Sequence, residues 1–340
     1  MNEKPKCQVF TPNHIAEKML DLAGYSHDLF NKRVLENSCG DGNILVPVIK
    51  RYIEDSMFCN KTIEEIKEGL ESNICGVEID KVQYKKCLIN LNKVARSYDL
   101  KHINWNLVND DSLLSEELSS NLINFDFVIG NPPYIMYREL DENIRSSLKE
   151  HFVTCKKGKF DYCYAFIEAG IKSLSNNGKL VYIIPNSIFK NVFGDNLREY
   201  MLPNLKSIHD YTSSKQFNKT ITSSAIIVVD KGYSSEYIQY FDILSNNKFK
   251  IYKGNLNGKW IFSKSIESDT DGKNRFGEYF KVANTVATLL NKVFVIDEYK
   301  EETDYLILKD ESLIEKSITR ATASPKSLRF SKAERIIFPY

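Results

Sequence analysis

The chain lacks a strong charge of either sign. Its 340 residues carry 46 lysines and arginines against 45 aspartates and glutamates, a formal net charge of +1. No global field therefore attracts nucleic acid, and any surface for a polyanion must be local. Cysteines are few, seven in all, and none lies beyond Cys163. They form no Cys-x-x-Cys pair and have no histidine cluster beside them. That excludes a zinc module and reads as reduced, structural thiols in a cytoplasmic protein, with no metal. The opening Met1-Asn2-Glu3-Lys4-Pro5 has no apolar core of a signal peptide, and no apolar run is long enough to span a bilayer. Internal repeats and low-complexity stretches are also missing. What is present is the composition of an ordinary soluble protein, rich in tyrosine and phenylalanine, with room for two domains and a sizeable core.

The chain is organised around Phe125-Asp126-Phe127-Val128-Ile129-Gly130-Asn131-Pro132-Pro133-Tyr134. Phe125 to Ile129 is a short apolar run with aromatic and β-branched residues, which predicts a buried strand. Gly130 ends it, Asn-Pro starts a turn, and Pro133 keeps the backbone extended. A rigid loop at the C-terminal end of a strand is where open α/β sheets bind ligands.

The flanking segments repeat the strand–turn–helix unit. Arg33 to Glu36 is a short strand, Asn37-Ser38-Cys39-Gly40-Asp41-Gly42-Asn43 a turn, and Ile44 to Ile53 a helix. Gly40 and Gly42 let backbone approach a ligand closely. The third glycine of a dinucleotide loop is absent, which argues against a diphosphate ligand. Asn73 to Asp80 is the second strand. A carboxylate at its end suits a ribose diol, a role given to Glu78, with Ile79 beside it and Asp80 capping a helix over Val82 to Ala95. Trp105 to Val108 is a third strand, followed by Asp110 and Asp111. Asp161 to Leu174 is a helix whose aromatics, Tyr162 and Phe166 among them, read as core. Asn177-Gly178 makes a turn into a fifth strand, Leu180 to Ile184. A helix then runs from Pro185-Asn186-Ser187 to Met201, and Ile208 to Thr212 with Ser223 to Val229 form a terminal hairpin.

Asn131-Pro132-Pro133-Tyr134 resembles the catalytic loop of S-adenosylmethionine-dependent amino-methyltransferases, above all those that make N6-methyladenine in DNA. An exocyclic amine is a poor nucleophile because its lone pair is delocalised into the ring. Acceptance of both amine hydrogens by the Asn131 side-chain oxygen and the Pro132 carbonyl pulls the nitrogen toward a tetrahedral state, which is electrostatic preorganisation and not base catalysis. Tyr134 offers a face for the base, worth about 1–3 kcal/mol by stacking. Phe10-Thr11-Pro12, ahead of an amphipathic helix from Ile15 to Leu22, resembles the motif that closes over the cofactor's methionine end in the gamma class. Glu36-Asn37-Ser38-Cys39-Gly40-Asp41-Gly42 resembles that class's cofactor loop, with Asn37 in place of the usual proline. The resemblance implies Glu36 near the cofactor's amino group, an acidic residue at its adenine amine, Asp111 or Asp110, and Asn131 beside the cofactor as well as at the target. It also implies Phe217 as a second face for the flipped base, with Lys219 one position early for the family lysine.

The implied fold is α/β: a Rossmann-like methyltransferase domain over 1–235 with a mostly parallel seven-stranded sheet, strand seven antiparallel. A target-recognition region follows over 236–340. There Phe280 to Thr288 resembles the opening of a type II modification enzyme's recognition region. Arg320, Lys326, Arg329 and their basic neighbours are either phosphate contacts or a solvated face. Family members usually continue past Tyr340, so this region is expected to be partial. Glu139 to Phe160 is polar and helix-rich and is expected to form a flap over DNA. The implied reaction is direct methyl transfer to adenine N6 of double-stranded DNA by a monomer, as the modification part of a restriction–modification system with a cognate endonuclease. A cytosine-C5 mechanism requires a Pro-Cys loop, which is missing. A release-factor glutamine methyltransferase shares the Asn-Pro-Pro-Tyr loop but lacks the Phe-Thr-Pro motif and the long C-terminal extension. RNA adenine methylation and a non-catalytic subunit that binds DNA or a protein partner are also compatible with these residues.

Overall fold

Alternation of short apolar strands with amphipathic helices builds one large sheet covered on both faces. The computed structural model describes residues 11–211, 224–262, 294–322 and 333–337. The chain divides into two compact units, Met1–Ser268 and Asp269–Tyr340. Among the described residues no helix is long and apolar enough to cross a membrane.

In the first unit, β1 (Val34–Glu36), β2 (Ile74–Val77), β3 (Asn106–Val108), β4 (Phe125–Gly130) and β5 (Leu174–Pro185) are parallel. They are followed by β6 (Leu205–Asp210), β7 (Ser224–Asp230), β8 (Tyr237–Asp242) and β9 (Asn247–Tyr252). The sheet order is β3-β2-β1-β4-β5-β7-β6-β8-β9, with β7 antiparallel to both neighbours. The order reverses between β1 and β4, so the loops leaving these two strands border one crevice.

The buried strands are apolar on both sides because helices cover both faces. Along β5, Val181 and Ile183 join the core beneath α1 (Asn13–Ala23), α2 (Leu45–Phe58), α3 (Ile63–Asn73) and α4 (Lys81–Arg96). Leu180, Tyr182 and Ile184 join the opposite core. Each fully buried aliphatic side chain contributes roughly 1.5–3 kcal/mol. Three short helices follow: α5 (Glu116–Asn121), α6 (Glu142–His151) and α7 (Cys163–Ser173), of which α7 packs into that second core. The last α-helix of the unit among the described residues is α8 (Asp195–Met201). Helix α3 was not among the elements expected from the sequence, although Thr62 and Glu65 form a capping box at its start.

Three expectations are corrected. The sheet has nine strands, not seven: β8 pairs parallel with β6, and β9 continues the meander. Asn177-Gly178 does not separate two elements but lies in a bulge within the continuous strand β5. The register there jumps from Phe125↔Leu174 to Phe127↔Lys179, and a Cβ on Gly178 would meet the Phe125 carbonyl oxygen at 2.6 Å. The helix expected from Asn186 to Met201 is broken into 3₁₀ turns at Asn186–Phe189 and Val192–Gly194 before α8. Arg198 occupies the break: its buried guanidinium donates to the carbonyls of Ile188 and Asn191 within it, and to Gly258 O beyond it.

Strands β8 and β9, past residue 235, are integral to the first unit. Tyr240 of β8 donates to the Asp210 carboxylate at 2.6 Å, and the Trp260 backbone donates to Phe189 O at 2.8 Å. The second unit carries two three-stranded antiparallel sheets. One is β10 (Val295–Ile296), β15 (Glu334–Ile337) and β14 (Thr319–Thr322). The other is β11 (Tyr299–Glu301), β12 (Tyr305–Leu308) and β13 (Leu313–Glu315).

Candidate active site

The C-terminal ends of β1, β2 and β4 open on a cleft of about 260 Å³. Thr11, Glu36, the Asn37–Asp41 loop, Glu78, Ile79, Asp110, Asp111 and Asn131–Tyr134 all line it. Residues predicted from five separate stretches of sequence therefore meet in one place. Phe10, Phe217 and Lys219 lie outside the described residues.

The loop after β1 is shaped by its glycines. Gly40 and Gly42 have φ of 55° and 90°, the left-handed region that favours glycine. Gly42 also has no room for a side chain, since a Cβ there would lie 2.9 Å from Cys87 Sγ. Backbone bonds from Cys39 N–H to Val77 O and from Gly42 N–H to Cys39 O close the turn. The Asn37 side chain accepts from the Tyr182 hydroxyl at 2.6 Å, deep between β1 and β5. A proline at that position has no side-chain oxygen to accept with, so the departure at Asn37 is matched by Tyr182. The sequence did not reveal this pair because the partners are far apart in the chain.

Acidic groups dominate one wall. Glu36 is 3% exposed, and its Oε2 has no hydrogen-bond partner among the described residues. Burial raises its carboxyl well above the usual range, and the nearby Cys87, Glu78 and Asp41 push the same way. Such a group favours a cation placed beside it. Glu78 spans the turn: Oε2 accepts from Gly40 N–H at 2.8 Å and Oε1 from Asp80 N–H at 2.7 Å. Asp80 caps α4 through the N–H groups of Val82 and Gln83, as expected. Ile79 beside it is 56% exposed, an apolar shelf on the cleft.

Asp111 accepts from the Leu113 and Leu114 N–H groups through Oδ1. Asp110 is exposed, and hydrogen bonds from Ser115 and the Asp111 N–H hold its carboxyl below the usual range. Tyr162 and Phe166, expected as core, line the cleft as well, together with Leu140 and Ile144 of the segment before them.

The Asn131–Tyr134 loop is held at both ends. Asn131 Nδ2 donates to Thr11 Oγ1 at 3.1 Å, across 120 residues of sequence. That bond sets which way the amide faces, with Oδ1 on the side away from Thr11. Ser38 Oγ reaches Asn131 O at 3.5 Å, and the Tyr134 hydroxyl donates to Ile183 O at 3.0 Å. Burial raises the Tyr134 hydroxyl well above its ordinary pKa, so it stays a neutral donor. A side chain on Gly130 would press on the Tyr182 ring at 3.2 Å. The loop therefore presents the ring and the amide as a fixed pair.

The sequence profile of the family described as "Eco57I restriction-modification methylase" matches residues 47–217, half of the chain. The chain belongs to this family. Among its curated relatives, the type II methyltransferase M.BstVI of Geobacillus stearothermophilus is 30% identical over 234 residues, 66% of this chain and 41% of that protein. The type II methyltransferase M.PaeR7I of Pseudomonas aeruginosa is 27% identical over 228 residues, 65% of this chain and 39% of that one. The chain thus spans about two fifths of the length of the curated relatives it matches. Among solved structures, a nuclease-deletion mutant of the type ISP restriction-modification enzyme LlaGI, in complex with a DNA substrate mimic, superposes with a TM-score of 0.56 at 17% identity. It covers 74% of this chain and 25% of that one. The M protein of the type I restriction enzyme EcoKI gives 0.52 at 14% identity, over 69% and 48%. At these identities the likeness concerns the fold.

In the second unit, Arg320 donates to the carbonyls of Ser317 and Thr319, within its own turn. Lys326 and Arg329 lie outside the described residues.

Proposed function

We propose that this chain is the catalytic part of a DNA methyltransferase of a restriction–modification system, acting on adenine N6 with S-adenosylmethionine as methyl donor. The observation that carries the reading is the Asn131 amide, pinned by Thr11 in a cleft that the buried Glu36 carboxyl also lines. The cleft suits the cofactor's chemistry. Glu36 would offer an anionic partner to an ammonium, Gly40 would admit close backbone approach, Glu78 would hold a ribose, and Ile79 with Asp111 would border an adenine; all of these residues line the cleft. The bound cofactor supplies an electrophilic sulfonium methyl.

The chain's residues then do the rest. Asn131 Oδ1 and the Pro132 carbonyl accept the two hydrogens of the target amine and direct its lone pair. The Tyr134 ring, tethered through its hydroxyl to Ile183, gives the base a face that does not swing away. The resemblance assigns the second face to Phe217, which lies outside the described residues. Flipping costs a few kcal/mol, and two stacking faces at about 1–3 kcal/mol each offset much of it. Double-stranded DNA is the partner, with an endonuclease of the same site as the other half of the system.

The test is transfer of labelled methyl groups to unmethylated duplex DNA, with the nucleosides resolved afterwards. Label in N6-methyladenine is the expected result. Label in N4-methylcytosine would overturn the choice of base, and label only in protein or RNA would overturn DNA as substrate.

A further inference from the structure

Outside the cleft, one surface combines free cations with an exposed aromatic ring. Lys156-Lys157-Gly158-Lys159 is an exposed turn, and Lys190 is exposed on the neighbouring segment. None of these lysines has an ion-pair partner among the described residues, whereas Lys172 on α7 reaches the buried Glu168 at 2.7 Å. The cations are therefore not spent on internal pairing.

The turn is built and placed. Gly158 has φ of +68°, and a Cβ there would lie 2.0 Å from Phe193 Cδ1, so the Phe193 ring sits on bare backbone. Phe193 remains 44% exposed and Val192 beside it 62%. Asn191 ties the two segments together by donating to the Asp161 carboxylate at 3.1 Å. On its other side the same strand of chain joins the catalytic loop: Tyr162 N–H donates to Ile135 O at 2.9 Å, and both residues line the cleft. Lys159 is three residues from Tyr162, so its backbone lies within about 11 Å of the cleft wall.

We infer that the Lys156–Lys159 turn, with Lys190, is a phosphate-binding rim that grips the DNA backbone beside the nucleotide entering the cleft. The inference rests on the proposed DNA-methylating function and adds a contact surface to it. Unpaired lysines around an exposed ring match a nucleic-acid strand: the ammoniums meet phosphate oxygens, and the Phe193 edge meets sugar. A protein partner would have to supply matching acidic residues, whereas every DNA strand carries the anions at regular spacing. Because the contacts go to phosphates, they position the strand and carry no sequence preference.

The experiment compares the full chain with the triple variant K156Q/K157Q/K159Q. Duplex binding is followed by anisotropy over a salt series, and cofactor binding by calorimetry. Each lost phosphate contact lowers the slope of log K against log salt by about 0.9, so the triple variant is expected to lose about 2 to 3 from that slope. Affinity should fall on the order of tenfold or more, equally for every duplex sequence, with cofactor affinity unchanged. Arginine at all three positions should restore the slope. A wild-type slope in the glutamine variant, with DNA methylation intact, would sink the rim and leave the proposed function standing. A wild-type chain that binds cofactor but neither binds nor methylates duplex DNA would overturn both.

Discussion

Asn131 shows how much depends on one amide. Asn131→Ala removes the proposed acceptor for the amine hydrogens, and of the residues expected around the cofactor it removes Asn131 alone, leaving Glu36, Glu78 and the glycine loop in place. Methyl transfer is expected to fall by about 10²- to 10³-fold, as for loss of one oriented polar group at a reacting centre. Cofactor affinity, read by calorimetry, should stay near wild type. Loss of both together would mean that Asn131 shapes the cleft and does not act on the target. Glu36 leads to a pH prediction. In the free protein its carboxyl is raised by burial, so it holds a proton where an exposed glutamate would not. A cationic amine placed beside it favours the carboxylate, so binding expels that proton. Affinity for S-adenosylhomocysteine should therefore rise with pH through the raised pKa and weaken as pH falls below it. Calorimetry in buffers of different ionisation enthalpy should detect proton release in wild type and none in Glu36→Gln.

At the scale of elements, the two glycines of the β1–α2 loop separate backbone strain from steric contact. Gly40→Ala meets open space and costs only its left-handed conformation, about 1 kcal/mol. Gly42→Ala adds a collision with Cys87 on α4 and is expected to cost about 1–3 kcal/mol more. Thermal unfolding should rank them in that order, and Gly42→Ala should also weaken cofactor binding because it moves α4 against the turn. Thr62→Ala at the start of α3 serves as a contrast. Loss of its capping box should cost about 1 kcal/mol with cofactor affinity unchanged.

For the molecule as a whole, the first unit ends where its core ends and not where the composition changes. The Trp260 indole donates to Leu256 O, and its ring stacks 6.0 Å from Phe189, beneath the broken helix that follows β5. Trp260→Ala is expected to destabilise the unit by about 3–5 kcal/mol, the range for a fully buried aromatic. A chain ending at residue 235 should fare worse, because it exposes β6 as an open edge and removes Tyr240 from Asp210. Circular dichroism on chains ending at 235 and 268 checks this. Equal melting temperatures would show that β8 and β9 are an appendage.

The sequence by itself determined what depends on neighbours along the chain. Turn glycines, the Asp80 cap, the apolar runs and the Asn-Pro-Pro-Tyr loop are local, so strands β1 to β7 and the candidate residues that line the cleft after β1, β2 and β4 were legible. Only the tertiary structure decided what depends on distant partners. Asn37 finds Tyr182 across the sheet, Thr11 finds Asn131 across 120 residues, and the Arg198 guanidinium occupies a break in a helix whose local pattern is continuous. Tyr162 and Phe166 face both core and cleft, a choice that periodicity does not encode. Strands β8 and β9 read as ordinary turn-rich chain because their apolar residues are sparse. They become part of the sheet through β6 and an aromatic cluster around Trp260, contacts that exist only once the core has formed.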